Sequence, residues 1–126
     1  MSIQAVATNT APRAVGPYSQ AVSANGFVFA SGQLPINPAN GKMVDGSIQD
    51  KTRQCIKNLA AVAEAGGTSL RQAVKVTVFL TNMADFAAVN EVYREYFFEP
   101  FPARSAVQVA ALPVGGEIEV EAIFST

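Results

Sequence analysis

Two runs near the C-terminus constrain the fold more than any other part of the chain. Residues 101–109 and 117–121 each alternate polar and apolar side chains, and Leu112-Pro113-Val114-Gly115-Gly116 joins them. Period-two alternation on both sides of a Pro/Gly-rich link predicts two antiparallel strands with one buried face. Burying Val107, Val109, Ile118 and Val120 together sets the register, because a slip of one residue would turn half of them outward. That register predicts Val107 opposite Ile118, Ser105 opposite Val120 and Ala106 opposite Glu119. The other face then carries Arg104, Ala106, Gln108, Glu117, Glu119 and Glu121, setting a permanent cation beside a carboxylate. Such a pair suits the gripping of a small anion and the handling of a proton next to it. This reading requires both groups in one crevice; side chains on opposite sides of the sheet would remove it.

The rest of the chain supplies five more elements. Residues 18–24 and 27–33 flank Asn25-Gly26, a strong hairpin signal. Residues 35–41 are dense in turn formers and predict a loop. Ser47 with Asp50 resembles a cap opening a helix over 48–65, whose buried stripe is Ile48, Thr52, Cys55, Leu59 and Val62. Gly66-Gly67 reads as its stop. After a short connection, residues 74–81 alternate as a strand, with valines and Leu80 on one face. Asn82 to Asp85 introduce a second helix, with Phe86, Val89, Tyr93, Tyr96 and Phe97 at helical spacing and Pro100 and Pro102 ending it. The order strand-strand-helix-strand-helix-strand-strand predicts one α+β domain over residues 1–126. Its two layers are a mixed β-sheet and two helices on one face of it. The other face, with Phe79 between Thr77 and Thr81, is poorly suited to water and is expected to be buried between subunits.

Composition narrows the chemistry. Nine basic and ten acidic residues in 126 give a net charge of −1 with no cationic run, which argues against a nucleic-acid partner. No stretch approaches the roughly 18 apolar residues of a membrane span. Met1-Ser2-Ile3-Gln4 lacks the basic and apolar regions of a secretory signal. A lone cysteine cannot form an internal disulfide, so a reducing, cytoplasmic setting is expected, with Cys55 a small core hydrophobe. The absence of histidine excludes Ser-His and Cys-His nucleophilic schemes and leaves no zinc ligand set. The acids are scattered, and no phosphate-cradling glycine motif is present.

Five segments, in order along nearly the whole chain, carry a more specific signal. They are Gly16-Pro17-Tyr18-Ser19-Gln20, Phe29-Ala30-Ser31-Gly32-Gln33-Leu34-Pro35, Phe86-Ala87-Ala88-Val89-Asn90-Glu91-Val92-Tyr93, Phe101-Pro102-Ala103-Arg104-Ser105 and Ile118-Glu119-Val120-Glu121-Ala122-Ile123. Together they resemble the reactive intermediate deaminase family, also called the Rid or YjgF family. The resemblance implies a chorismate-mutase-like homotrimer, helices outside and sheets around a central barrel, with sites in the clefts between subunits. It also implies hydrolysis of 2-imino acids such as 2-iminobutanoate and 2-iminopropanoate to 2-keto acids and ammonia, without cofactor or metal. These imines form from enamines that PLP-dependent dehydratases release. By the same resemblance Arg104 holds the substrate carboxylate and Glu119 works on the hydrolytic water. Tyr18, Ser31, Gly32 and Asn90 line the pocket, with the Tyr18 hydroxyl fixing the substrate. Ala106 departs from the pattern: deaminase members usually carry a cysteine there, close to the water.

Other readings stand beside this one. On pattern alone the commoner interpretation of Arg104 and Glu119 is a cross-strand ion pair, worth ~0–1 kcal/mol if exposed. Tyr18 would then be a packed loop aromatic and Asn90 a solvated helix residue. A non-catalytic trimer that binds or senses small carboxylates such as 2-keto acids is a second function, to which Ala106 lends weight. RNA cleavage or translation inhibition, ascribed to some relatives, is opposed by the charge balance and the missing histidine.

Overall fold

The computed structural model describes residues 2–126; Met1, where the signal-peptide reading begins, lies outside them. Strands β1 (Gln4–Val6), β2 (Ala21–Ala24), β3 (Phe27–Gln33), β6 (Ala73–Leu80), β7 (Ala103–Gln108) and β8 (Ile118–Ser125) form one mixed sheet. Their order is β1-β2-β3-β8-β6-β7. Strands β4 (Ile36–Asn37) and β5 (Lys42–Met43) make a separate small hairpin where the sequence predicted only loop. Helices α1 (Ile48–Ala65) and α2 (Phe86–Tyr96) cover one face of the large sheet.

Local chemistry explains most element ends. Asn25 and Gly26 take φ of 54° and 81°, the paired left-handed conformations that let a two-residue turn follow the twist of β2 and β3. The Ser47 hydroxyl oxygen accepts the Asp50 N–H at 3.1 Å and opens α1. Gly67 at φ 84° closes it, with the Thr68 N–H donating back to the Ala63 carbonyl at 2.9 Å. Of the predicted α1 stripe, Thr52, Cys55, Leu59 and Val62 are buried, whereas Ile48 in the first turn is only partly so. The stripe packs with Val89 and Val92 of α2 against Val76, Val78 and Leu80 of β6 and Ile118, Val120, Ala122 and Phe124 of β8. Each such aliphatic side chain contributes about 1.5–3 kcal/mol on burial, which anchors both helices to this side. No helix among the described residues is long and apolar enough to cross a membrane.

The C-terminal hairpin does not form. Strand β6 lies between β7 and β8, parallel to the first and antiparallel to the second. Val78 pairs with Ala106 on one side and Val120 on the other, so Ala106 is not opposite Glu119, nor Val107 opposite Ile118. The cause is α2. A helix joining two strands of one sheet makes them parallel neighbours through a crossover, so β6-α2-β7 is a unit and β8 must pair elsewhere. Residues 109–117, with a 3₁₀ turn at Pro113–Gly115, carry the chain across β6 instead of turning back along β7. Val107 consequently faces away from the helices and is 41 % exposed.

The open face carries Phe29, Phe79, Val107 and Ile123 among Lys75, Thr77, Ser105, Glu119 and Glu121. One irregularity on it bears on function. Between the pairs Ala30↔Ala122 and Gln33↔Val120, β3 has Ser31 and Gly32 where β8 has only Glu121. That β-bulge re-aims the local backbone beside Glu119.

Candidate active site

The arginine side is built by α2 and β7. Phe86, Asn90 and Tyr93 recur at i, i+4 and i+7 and so share one helix face. Arg104 lies over that face: its guanidinium carbon is 5.2 Å from the Phe86 ring centre and 4.6 Å from that of Tyr93. One guanidinium nitrogen donates to the Asn90 side-chain oxygen at 2.8 Å. Tyr93 stacks in turn on Phe97, with ring centres 4.4 Å apart, which fixes the platform. Two aromatic faces and an amide therefore hold the cation while it stays exposed, with donors left over for an anion. A cleft of ≈ 370 Å³ opens beside it, lined by Asn90, Tyr93, Arg94, Phe101, Pro102 and Arg104. Tyr93 lines this cleft, and its hydroxyl is buried with no hydrogen-bond partner among the described residues. Burial raises its pKa, an effect that Arg104 partly opposes.

The carboxylate side is built by the bulge and by β8. A Cβ on Gly32 would stand 2.7 Å from the Glu119 carboxyl carbon, so only glycine lets that side chain lie against the backbone of β3. Burial, and then the charge of Glu121, push the Glu119 pKa above the ordinary carboxylate value. Tyr18 is half-exposed, and its hydroxyl oxygen accepts the Val15 N–H at 3.4 Å. The Ser31 hydroxyl donates to the Ser19 carbonyl at 2.6 Å, so it ties the Tyr18 segment to β3 and is not free. Gln20, which sequence reasoning left without a role, adds a second tie, to residues 8–12. Buried, it donates to the carbonyls of Thr8 at 3.1 Å and Pro12 at 2.7 Å, and its oxygen accepts the Thr8 N–H at 2.7 Å.

These two sides do not meet within one chain. Arg104 aligns with Val76 and Ala122 and projects toward the helices, whereas Glu119 aligns with Phe79 and Val107 on the open face. The expectation that Arg104, Ala106, Gln108, Glu117, Glu119 and Glu121 share a face is overturned, and with it a site made by one chain. The cross-strand ion pair falls for the same reason. Asn90 and Ala106 go with Arg104, Ala106 packing against the core two residues beyond it. Tyr18, Ser31 and Gly32 go with Glu119. Glu117 pairs instead with Lys51 of α1. Phe86 and Tyr93, read from sequence as core, also seat the arginine; their shared spacing with Asn90 was the signal. Cys55 is a core residue, its thiol pushed well up by burial.

Comparison with known proteins shows the family. Residues 8–125 match the family model described as Endoribonuclease L-PSP. A RutC family protein of Pyrococcus horikoshii is 52% identical over 120 residues, which are 95% of each chain. The 2-iminobutanoate/2-iminopropanoate deaminase of Capra hircus is 47% identical over 118 residues, covering 94% of this chain and 86% of that one. The crystal structure of E. coli TdcF with bound serine superposes with a TM-score of 0.92 at 41% identity, covering 98% of each chain. An arginine seated on α2 and a carboxylate laid on a bulge glycine thus stand in a chain that belongs to the endoribonuclease L-PSP family, the Rid/YjgF family.

Proposed function

We propose that the protein hydrolyses 2-imino acids to 2-keto acids and ammonia at sites completed by two copies of the chain. The observation that carries this reading is the exposed Arg104, seated on Phe86, Asn90 and Tyr93 with donors left for a carboxylate; the opposite placement of Glu119 removes a site within one chain and leaves one shared between copies. Each residue is set for one half of the task, and only a second copy can bring a Glu119 to an Arg104 cleft. The exposed Phe29 and Val107 give the open face a reason to associate. In this reading the protein is a homotrimer of one 1–126 domain, needing no cofactor or metal. It acts in the cytoplasm on imines that PLP-dependent dehydratases generate. Relatives named as deaminases, and one solved with bound serine, support a small amino-acid-like guest.

The chemistry follows from the groups available. Arg104 receives the substrate carboxylate through two parallel hydrogen bonds, aided by the Tyr18 hydroxyl of the other copy. Glu119 takes a proton from water as the water oxygen attacks the C=N carbon of the protonated imine, giving a tetrahedral amino alcohol. It then returns that proton to nitrogen; as the C–N bond breaks, the carbinol oxygen becomes the keto oxygen and gives its proton back to Glu119, and ammonia and the keto acid leave. Such acid–base help is worth roughly 10²–10⁴ in rate, and a carboxyl with a raised pKa is better matched to it near neutrality. Gly32 leaves the room in which the Glu119 side chain lies against the backbone of β3.

Complementation tests the shared site. Arg104→Ala and Glu119→Gln should each abolish the acceleration of keto-acid release from a serine or threonine dehydratase. Co-expressed in equal amounts, they should recover up to about a quarter of wild-type activity, because one pairing in four joins intact halves from two chains. No recovery above the separate variants, in assemblies shown to be mixed, would overturn it. A second reading is a non-catalytic trimer that binds small carboxylates, favoured by Ala106 where a cysteine is usual. It predicts saturable keto-acid binding through Arg104 with no turnover at high protein concentration.

A further inference from the structure

A second cavity adjoins the carboxylate half of the site. Its volume is ≈ 450 Å³, and it shares Tyr18 and Gly32 with that half; ligand sites commonly span ~300–1,000 Å³. Away from those two residues its wall is mostly apolar, formed by Val15, Leu34, Ile36, Met43 and Val114, with Gln20 and Gln33 also lining it and Arg13 the one charged residue there among the described residues.

The wall is a built feature. Ile36 and Met43 face each other across the β4–β5 hairpin. Asn58 of α1, itself buried, donates to the carbonyls of Leu34 at 3.1 Å and Ile36 at 2.9 Å, which locks that hairpin to the core. On the other side, a Cβ on Gly116 would stand 2.7 Å from a Leu34 methyl, so the turn after Pro113 packs directly on the wall. That turn holds Val114 at φ 49°, a left-handed conformation that β-branched residues seldom adopt, and leaves it 74% exposed at the rim. Strain of this kind persists where the surrounding structure enforces it, often beside a ligand.

We propose that this cavity receives the side chain of the imino acid, so that the protein prefers imines of the leucine and methionine class to those of alanine and serine. The proposal rests on the hydrolytic reading above and extends it to substrate choice. With the carboxylate held by Arg104 of one copy and the C=N carbon beside Glu119 and Gly32 of the other, the side chain enters the cavity past Gly32. Water leaves the apolar wall as it does so. A methylene in such a pocket discriminates by roughly tenfold or more.

The test compares imines made in place by an L-amino acid oxidase from leucine, methionine and alanine, with keto-acid release as the readout. Wild type should show kcat/KM at least about tenfold higher for the leucine-derived imine than for the alanine-derived one. Met43→Trp and Ile36→Phe, which fill the cavity without touching Arg104 or Glu119, should lose that preference while the alanine-derived rate stays within about twofold. Equal efficiencies in wild type would overturn the proposal. So would variants that melt as wild type does yet lose both substrates equally. Calorimetry with 4-methyl-2-oxopentanoate and pyruvate reads the same preference without turnover. Tighter binding of the larger acid, erased by Met43→Trp, supports the subsite, and equal binding sinks it. A wild type inert toward every imine but retaining that binding preference would end the hydrolytic reading and leave the subsite standing.

Discussion

The two halves of the site are positioned by different means. Arg104 is held by side chains: two aromatic faces and an amide on α2 that are themselves packed or stacked. Glu119 is held by backbone: a bulge in β3 and a glycine with no Cβ to push it away. A side-chain seat has several members, and losing one loosens it. A backbone seat depends on one missing atom group, and filling that space ejects the guest. The halves should therefore respond unequally to small changes.

Gly32→Ala probes the backbone seat and should have the largest effect. The added methyl takes the place of the Glu119 carboxyl, whose flexible side chain swings away. Activity should fall by roughly 10²-fold or more, as for loss of acid–base help, while the melting temperature stays near wild type. A large loss of stability with normal activity per folded protein would break the distinction drawn here. Asn90→Ala probes the side-chain seat and should do less. Removing one charge-assisted hydrogen bond from Arg104 while both rings remain should raise KM by about tenfold with kcat little changed. An equal fall in kcat would mean that the amide acts in the transition state.

The smallest effect concerns pH. Burial and Glu121 both raise the Glu119 pKa, so its neutral form is favoured by folding. Its contribution to stability is full below the ordinary carboxylate value and is lost as pH rises through the raised one. A water-activating carboxylate must be ionised, so the acid limb of kcat/KM should lie above the ordinary carboxylate range. Glu121→Gln removes one cause and should move that limb down, leaving the plateau unchanged. A limb that stays put, or moves up, would show that Glu119 is not the group titrating.

Residues whose behaviour follows from close neighbours in sequence were readable in advance. Ser47 and Gly67 bound α1, Asn25-Gly26 turns the β2–β3 hairpin, and the stripe from Thr52 to Val62 faces the core. The bulge at Ser31-Gly32 was not readable, because a strand gains an extra residue only relative to the partner it pairs with. The β4–β5 hairpin was hidden by turn residues whose short strands have no period to detect. Tyr93 showed its apolar spacing but not its second use, because Arg104 comes from a separate strand.

The sequence by itself determined most of the elements and, within each strand, which residues share a side: Arg104 with Ala106 and Gln108, Glu119 with Glu121. Period-two geometry requires that much of any strand. It does not say which strand lies alongside, nor whether the two sets face the same way. The crossover through α2 decided that by inserting β6 between β7 and β8 and turning Arg104 and Glu119 to opposite faces. The strand-helix-strand order implies the β6–β7 pairing, but which strand flanks β6 on its other side is chosen by how distant segments pack, and no local pattern in the chain carries that information.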